Sequence, residues 1–401
     1  MDKNFFKKVR ILDGGMGQEL HSRGLVSKGT LWSTSAVLDK KYHDLIVDIH
    51  SEYIEAGAEV IVTTNFSSRR IRMEQNKVND LFEFANKKAC ELALKAKEKS
   101  KKEILIAGSI PAQSDTYKED NRSDKIIHKN FYDQINCIKD LVDFFYLDVV
   151  SSGREIDIAS KIIGDTSKPV LIGTHLLKNG KLPSGETLSE IINKYKSSNW
   201  IGIIASCVSI EIAESSINDL KAHNLPFGYK VNLWGDDEPS PVRMINSAKY
   251  NEDAVNLNTV MGKREVSEEV FKSLGKKFID NGATILGGCC ETSPKHISAL
   301  VDNITLDAYG QTMKIKDVSS VNVLDARSLK ISVWDTNLVN SVEKGIISSS
   351  LELTPISEGQ VIRINLPELT SERRNELAKN VRSLAEEAKI AIRNIRQDAM
   401  N

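Results

Sequence analysis

The sequence predicts an α/β protein: an eight-fold β/α (TIM) barrel over residues 1–300, then a small α/β domain and a long C-terminal helix over residues 301–401. Three observations predict it. Short, almost continuously apolar runs recur eight times in the first 300 residues. Longer stretches with apolar spacing of three and four separate most of them, and after about residue 300 the texture changes to short strands with turns. Strands that are apolar on both faces suit a parallel sheet covered on both sides, and eight such β-then-α units fit a closed barrel. A doubly wound open sheet is the competing arrangement.

The strand candidates are Val9 to Asp13, Glu59 to Asn65, Ile104 to Ser109, Phe144 to Val150, Pro169 to Thr174, Trp200 to Cys207, Phe227 to Leu233 and Ala283 to Gly288. Spacings such as Leu45, Ile49, Tyr53 and Ile54, or Leu81, Phe84, Ala85 and Leu92, read as amphipathic helices between them. Further strands are expected at Ser319 to Leu324, Ser328 to Trp334 and Gln360 to Asn365. A helix follows from Thr370 as N-cap, with Glu372 in its first turn. Its apolar residues Leu377, Val381, Leu384, Ala388, Ile392 and Ile395 form a stripe that must be buried against something.

The 54 Lys and Arg against 55 Asp and Glu exclude a chain-wide polycation that binds DNA, as well as an acidic tail protein. With 40% hydrophobic and 27% charged residues, the chain has the apolar mass for a large core. The charged N-terminus does not read as a secretory leader, and no run approaches the roughly 18 apolar residues of a membrane span, so a cytoplasmic protein without a membrane partner is expected. Five cysteines, an odd number, point away from a disulfide framework and toward thiolate chemistry or metal ligation.

In such a barrel the C-terminal ends of the strands converge on one face, where active sites lie. Asp13, Asn65, Asp148, Cys207, Cys289 and Cys290 all fall at or near such ends. Three cysteines without a fourth protein ligand describe a zinc site with an open position, and soft thiolates select zinc over magnesium or calcium. Taken singly, Cys207 reads as a small buried hydrophobe. The adjacent Cys289 and Cys290, flanked by Gly287 and Gly288, are awkward packing residues and favour ligation. Cys90 and Cys137 lie in helical stretches and read as core. Among the histidines, only His175, after strand five, falls near this face.

These residues carry a resemblance. Ile11-Leu12-Asp13-Gly14-Gly15-Met16-Gly17-Gln18-Glu19-Leu20, Thr64-Asn65-Phe66, Ile106-Ala107-Gly108-Ser109-Ile110 and the block from Gly282 to Ile297 around Gly287-Gly288-Cys289-Cys290 resemble the homocysteine S-methyltransferase family, in the right order over about residues 8 to 300. The resemblance implies a zinc held by Cys207, Cys289 and Cys290, which binds the sulfur of homocysteine or a related thiol. It also implies a small methyl donor with a good leaving group: a sulfonium, a quaternary ammonium or an activated methyl-folate. Asp148 stands where the family usually has a glutamate that clamps the substrate's amino group, so the carboxylate is kept one methylene shorter. Asp13 and Asn65 are assigned to polar contacts with substrate at the barrel mouth, or to satisfying backbone groups in a tight turn. Val149, Ser206 and Pro111-Ala112 replace the family's usual Thr, Asn and Gly-Pro.

A second resemblance covers about residue 300 to the end. Leu306-Asp307-Ala308-Tyr309-Gly310, Asp325-Ala326-Arg327-Ser328-Leu329, Val342-Glu343-Lys344-Gly345-Ile346, the run from Leu366 to Arg374 and Arg393-Asn394-Ile395-Arg396-Gln397-Asp398-Ala399 look like ribosome recycling factor. The resemblance implies ribosome contact, with Arg393 and Arg396 touching ribosomal RNA. It spans the small domain and the first part of one bundle helix. A single helix with an apolar stripe lacks partners, so the bundle is not expected to form from this segment by itself.

Overall fold

The computed structural model describes residues 4–235, 262–301, 306–308, 311–313, 319–325, 328–340, 342–343 and 355–365. The chain divides into two compact units, Met1–Ile304 and Thr305–Asn401.

The first unit is a parallel eight-stranded barrel: β1 (Arg10–Ile11), β2 (Val60–Val62), β3 (Leu105–Pro111), β4 (Phe144–Val150), β5 (Val170–Thr174), β6 (Trp200–Val208), β7 (Phe227–Val231) and β8 (Ile285–Gly288). β1 pairs with β8 through Arg10 with Ile285 and Ile11 with Leu286. The ring closes between β1 and β2 by the parallel bridge of Leu12 with Val60. The open doubly wound sheet is thereby excluded. Helices such as His43–Glu55, Phe82–Ser100, Asp124–Ile138 and Gly153–Gly164 run between the strands.

Period-two alternation sorts the strand residues between an inner core and the strand–helix layer. Phe144, Tyr146, Leu171, Ile204 and Ile285 belong to the inner cluster, while Phe145, Leu147, Ile172, Ile203 and Leu286 pack in the outer one. β1 and β2 are shorter than the apolar runs suggest, because side chains replace the ladder at the mouth. The Asp13 carboxylate accepts from the Val62 amide at 2.8 Å, and Thr63 Oγ1 accepts from the Ser109 amide at 3.0 Å.

Two strands break the alternation in the same way. On β4, Phe145 and Leu147 lie in the outer cluster and so does Val150, where an unbroken alternation would turn Val150 inward. The register shifts there, and Val149 has φ of 63°. On β6, Ile203, Ala205 and Val208 are outer, the register shifts between Ser206 and Val208, and Cys207 has φ of 52°. A left-handed residue thus lets two consecutive residues, Asp148–Val149 and Ser206–Cys207, leave the outer layer together. After each bulge a serine, Ser152 or Ser209, N-caps the next helix.

In the second unit β9 (Leu306–Ala308) and β10 (Gln311–Met313) form an antiparallel hairpin. β11 (Ser319–Asp325), β12 (Ser328–Val333), β13 (Pro355–Glu358) and β14 (Val361–Asn365) form an antiparallel sheet in the order β11-β12-β14-β13. The three strands read from sequence are present, and β13 and the hairpin are additional. Ile331, Val333 and Ile362 are buried, as are Leu338, Val339 and Val342. The helix expected from Thr370, its stripe from Leu377 to Ile395, and Arg393 and Arg396 lie outside the described residues. Among the described residues no helix is long and apolar enough to cross a membrane.

Strand packing yields one stability prediction. A methyl group on Gly228 of β7 would overlap the backbone carbonyl of Ile285 on β8, which cannot swing aside as a side chain can. A Gly228→Ala variant is expected to lose about 2 kcal/mol or more in urea unfolding. Gly164→Ala, at a helix end where the added methyl meets only Asn199 at 3.6 Å, should stay within about 1 kcal/mol of the parent. Equal stability of the two variants would contradict the close β7–β8 approach.

Candidate metal centre and active-site cleft

Three sulfurs converge at the barrel mouth. Cys207 is the next-to-last residue of β6, and Cys289 and Cys290 follow β8. Cys207 Sγ lies 3.7 Å from Cys290 Sγ, Cys289 Sγ lies 3.9 Å from Cys290 Sγ, and all three fall within 4.8 Å of one another. No other group of three or more ligating side chains with this closeness occurs among the described residues.

The local chain holds them there by backbone bonds. The Cys289 amide donates to the Val231 carbonyl at 2.7 Å, and the Cys290 carbonyl accepts from Leu233 at 3.0 Å, so the Cys-Cys turn is stapled to the end of β7. Gly288 is required before it, since a side chain there would run into Thr292. Asn232 Nδ2 donates to the Cys207 carbonyl at 2.7 Å, which ties the β6 bulge to the same segment. The Tyr117 hydroxyl lies 3.1 Å from Cys207 Sγ, and its ring packs on His175 at 4.5 Å between centroids. Tyr117, Val149 and Phe66 cluster with the three cysteines as an apolar wall.

Burial pushes the Cys207 thiol up, but hydrogen bonds from Cys289, Cys290 and Tyr117 outweigh it and hold Cys207 well below the usual thiol range. Cys289 and Cys290 are held well above that range, first by their bonds to Cys207 and then by burial. Cys207 is therefore the most acidic of the three thiols.

Around the sulfurs lies a cleft that is open to solvent. Asp13, Asp148, Val149, Tyr117, Lys230 and Trp234 line it together with the cysteines. Asp13 is 1% exposed and both its carboxylate oxygens are engaged: Oδ1 takes Lys230 Nζ at 2.6 Å, and Oδ2 takes the Val62 amide. Burial raises its pKa, against the opposing pull of Lys230. Asp148 accepts from Ser109 Oγ at 2.9 Å. Burial pushes Asp148 up to about 7, opposed by the charge of Lys230 and by the Ser109 bond.

Asn65 is placed differently. Its side chain does not line the cleft; it accepts from Thr63 Oγ1 and donates to Asn86 Oδ1 at 2.9 Å and the Ser109 carbonyl at 3.1 Å, joining β2, β3 and the helix behind them. Cys90 is fully buried in its helix and Cys137 partly so, both apart from the cluster. Sequence reading missed Lys230, Asn232 and Tyr117. For Lys230 a signal existed: a lone cation inside the apolar run Phe227-Gly228-Tyr229-Lys230-Val231. Tyr117, on a loop, gave none.

Comparison with known proteins agrees with this architecture. The family model described as homocysteine S-methyltransferase matches residues 10–304, and that of ribosome recycling factor matches residues 291–401. The solved structure of the homocysteine methyltransferase MmuM from Escherichia coli, in its metallated form, superposes with a TM-score of 0.59 at 19% identity, covering 73% of this chain and 95% of that one. At that identity the likeness speaks for the fold. The ribosome-recycling factor of Chlamydia felis is 50% identical over 101 residues, 25% of this chain and 56% of that protein. That of Rickettsia rickettsii is 48% identical over 136 residues, covering 34% of this chain and 69% of that protein. The chain spans little more than half the length of the first of these relatives. By the match over residues 10–304 the chain belongs to the homocysteine S-methyltransferase family, and it continues into a ribosome-recycling-factor domain over residues 291–401.

Proposed function

We propose that the barrel transfers a methyl group from a small activated donor to the sulfur of homocysteine or a related amino-acid thiol, with a zinc ion held by Cys207, Cys289 and Cys290. The observation that carries the reading is the spacing of the sulfurs. Four ligands placed tetrahedrally about zinc at a Zn–S distance of about 2.3 Å stand about 3.8 Å apart. Two of the three sulfur separations, 3.7 and 3.9 Å, match that edge, the third lies within 4.8 Å, and three protein ligands leave the fourth corner for substrate. When bound, zinc keeps an incoming thiol as thiolate at neutral pH.

The chain's own residues do the rest. Tyr117 and Asn232 fix Cys207, while Phe66, Val149 and Tyr117 keep water from the sulfurs. Asp148 faces the same cleft and takes the acceptor's ammonium group, which holds the sulfur at one end and the amine at the other. A bond forms between the acceptor sulfur and the methyl carbon as the donor's heteroatom leaves with the electron pair of the broken bond. Donors that fit are a sulfonium, a quaternary ammonium or an activated methyl-folate.

Metal analysis of the purified chain is expected to return about one zinc per chain. Cys289→Ala should abolish it and reduce methyl transfer to homocysteine by about a hundredfold or more, with Cys90→Ala sparing both. Turnover by a rigorously metal-free chain would end this reading.

A pH dependence follows from Asp148. Because burial raises this carboxyl to about 7, the charged form that pairs with an ammonium is present above that pH and lost below it. The KM for the amino-thiol acceptor should therefore fall about tenfold between pH 6 and pH 8. Asp148→Asn should raise KM and flatten that profile; an unchanged profile in the variant would remove Asp148 from the role.

The second unit supports a separate reading, favoured by the 50% identity to ribosome-recycling factor: contact with the ribosome through Arg393 and Arg396. The full chain is expected to pellet with ribosomes at low salt, and Arg393→Ala with Arg396→Ala to weaken it. Failure to co-sediment would dismiss ribosome contact and leave the methyl-transfer reading as it stands.

A further inference from the structure

Lys230 projects from β7 into the cleft, where its side chain is 5% exposed. Its ammonium group has three hydrogens to give. Two partners are found among the described residues, both on Asp13: the carboxylate Oδ1 at 2.6 Å and the main-chain carbonyl at 3.0 Å. One donor is left over in a site that burial makes costly for any unspent polar group.

The rest of the wall is unbalanced in the same direction. Gln18 Nε2 and Trp234 Nε1 are buried, line the cleft and have no hydrogen-bond partner among the described residues. Against these unspent donors stands Asp148, whose Oδ2 already accepts from Ser109. Asp13 is already matched to a cation, with Lys230 on Oδ1 and the Val62 amide on Oδ2. A ligand that satisfies this wall must bring acceptors, and beside a lysine ammonium the strongest acceptor is a carboxylate.

We propose that Lys230 is the carboxylate anchor of the acceptor site. The acceptor is then an α-amino acid bearing a thiol, held by opposite charges: its carboxylate on Lys230, its ammonium on Asp148, its sulfur at the cysteine cluster. Asp13 is the positioning residue that aims Lys230 by two bonds. This assignment rests on the amino-thiol reading above and sharpens it, because a thiol without a carboxylate forfeits the Lys230 contact.

Binding, measured by calorimetry on the full-length zinc-loaded chain, tests it without requiring turnover. The probes are homocysteine and its decarboxylated counterpart, 3-aminopropane-1-thiol. The parent chain is expected to bind homocysteine roughly tenfold or more tightly than the amine thiol. In Lys230→Met, and in Asp13→Asn with Lys230→Met, which avoids stranding a buried carboxylate, that preference should shrink to within about twofold while affinity for the amine thiol holds. Equal binding of the two thiols by the parent chain, binding of neither, or a preference that survives in the double variant, overturns the assignment. A chain with the expected preference that moves no methyl group would instead fail the proposed reaction and leave the anchor in place.

Discussion

The cleft depends on one backbone event, repeated: a residue without the freedom of glycine held in the left-handed region at the end of a strand. At Cys207 this turns a sulfur that would have packed among helices toward the barrel axis; at Val149 it does the same beside Asp148. Each such conformation costs about 1–3 kcal/mol and persists only where neighbours overdetermine it. For Cys207 those neighbours are Asn232 on its carbonyl and Tyr117 on its sulfur. Val149 is β-branched, the type least suited to φ of 63°, and the apolar wall it forms with Tyr117 and Cys207 offsets its strain. Two strands with the same outer, outer, then shifted outer pattern thus place a carboxylate and a thiol across one opening.

The mouth between β1, β2 and β3 is knitted by side chains. β1 and β2 are short, and the buried amides beyond them must be satisfied some other way. Asp13 takes the Val62 amide, Thr63 takes that of Ser109, and Asn65 bridges to Asn86 and the Ser109 carbonyl. Both Asn65 amide hydrogens are therefore spent holding the rim, although its position in sequence is that of a cleft residue. Position at a strand end and access to the cleft are separate properties, and hydrogen-bond accounting separates them.

Much of the fold was legible because burial writes itself into apolar runs. All eight strands fall inside or against the stretches read from sequence, and the Gly-Gly-Cys-Cys turn advertises itself through small residues that only close backbone approach explains. The bulge at Cys207 was not legible: Ala205-Ser206-Cys207-Val208 contains neither glycine nor proline, the usual marks of a broken strand. Lys230 stands in the sequence as an isolated cation in an apolar strand, and its role is unreadable until its partner, 217 residues away, is known. Long-range pairs of this kind leave no local periodicity.

The charge balance of the cleft argues that its parts act as one site. Asp13 and Lys230 cancel each other at 2.6 Å, a buried pair that is tolerable because the remaining carboxylate oxygen meets an amide. Asp148 has no such cation of its own at contact distance among the described residues, and burial keeps it from ionising fully at neutral pH. In the cysteine cluster, Cys207 is held below the usual thiol range while Cys289 and Cys290 are held above it. Burial keeps the Asp148 carboxyl short of its charged form, and the bonds to Cys207 together with burial do the same for Cys289 and Cys290. Under the methyl-transfer proposal, a ligand that carries an ammonium for Asp148 also carries a sulfur for the cysteines, so the two contacts favour each other.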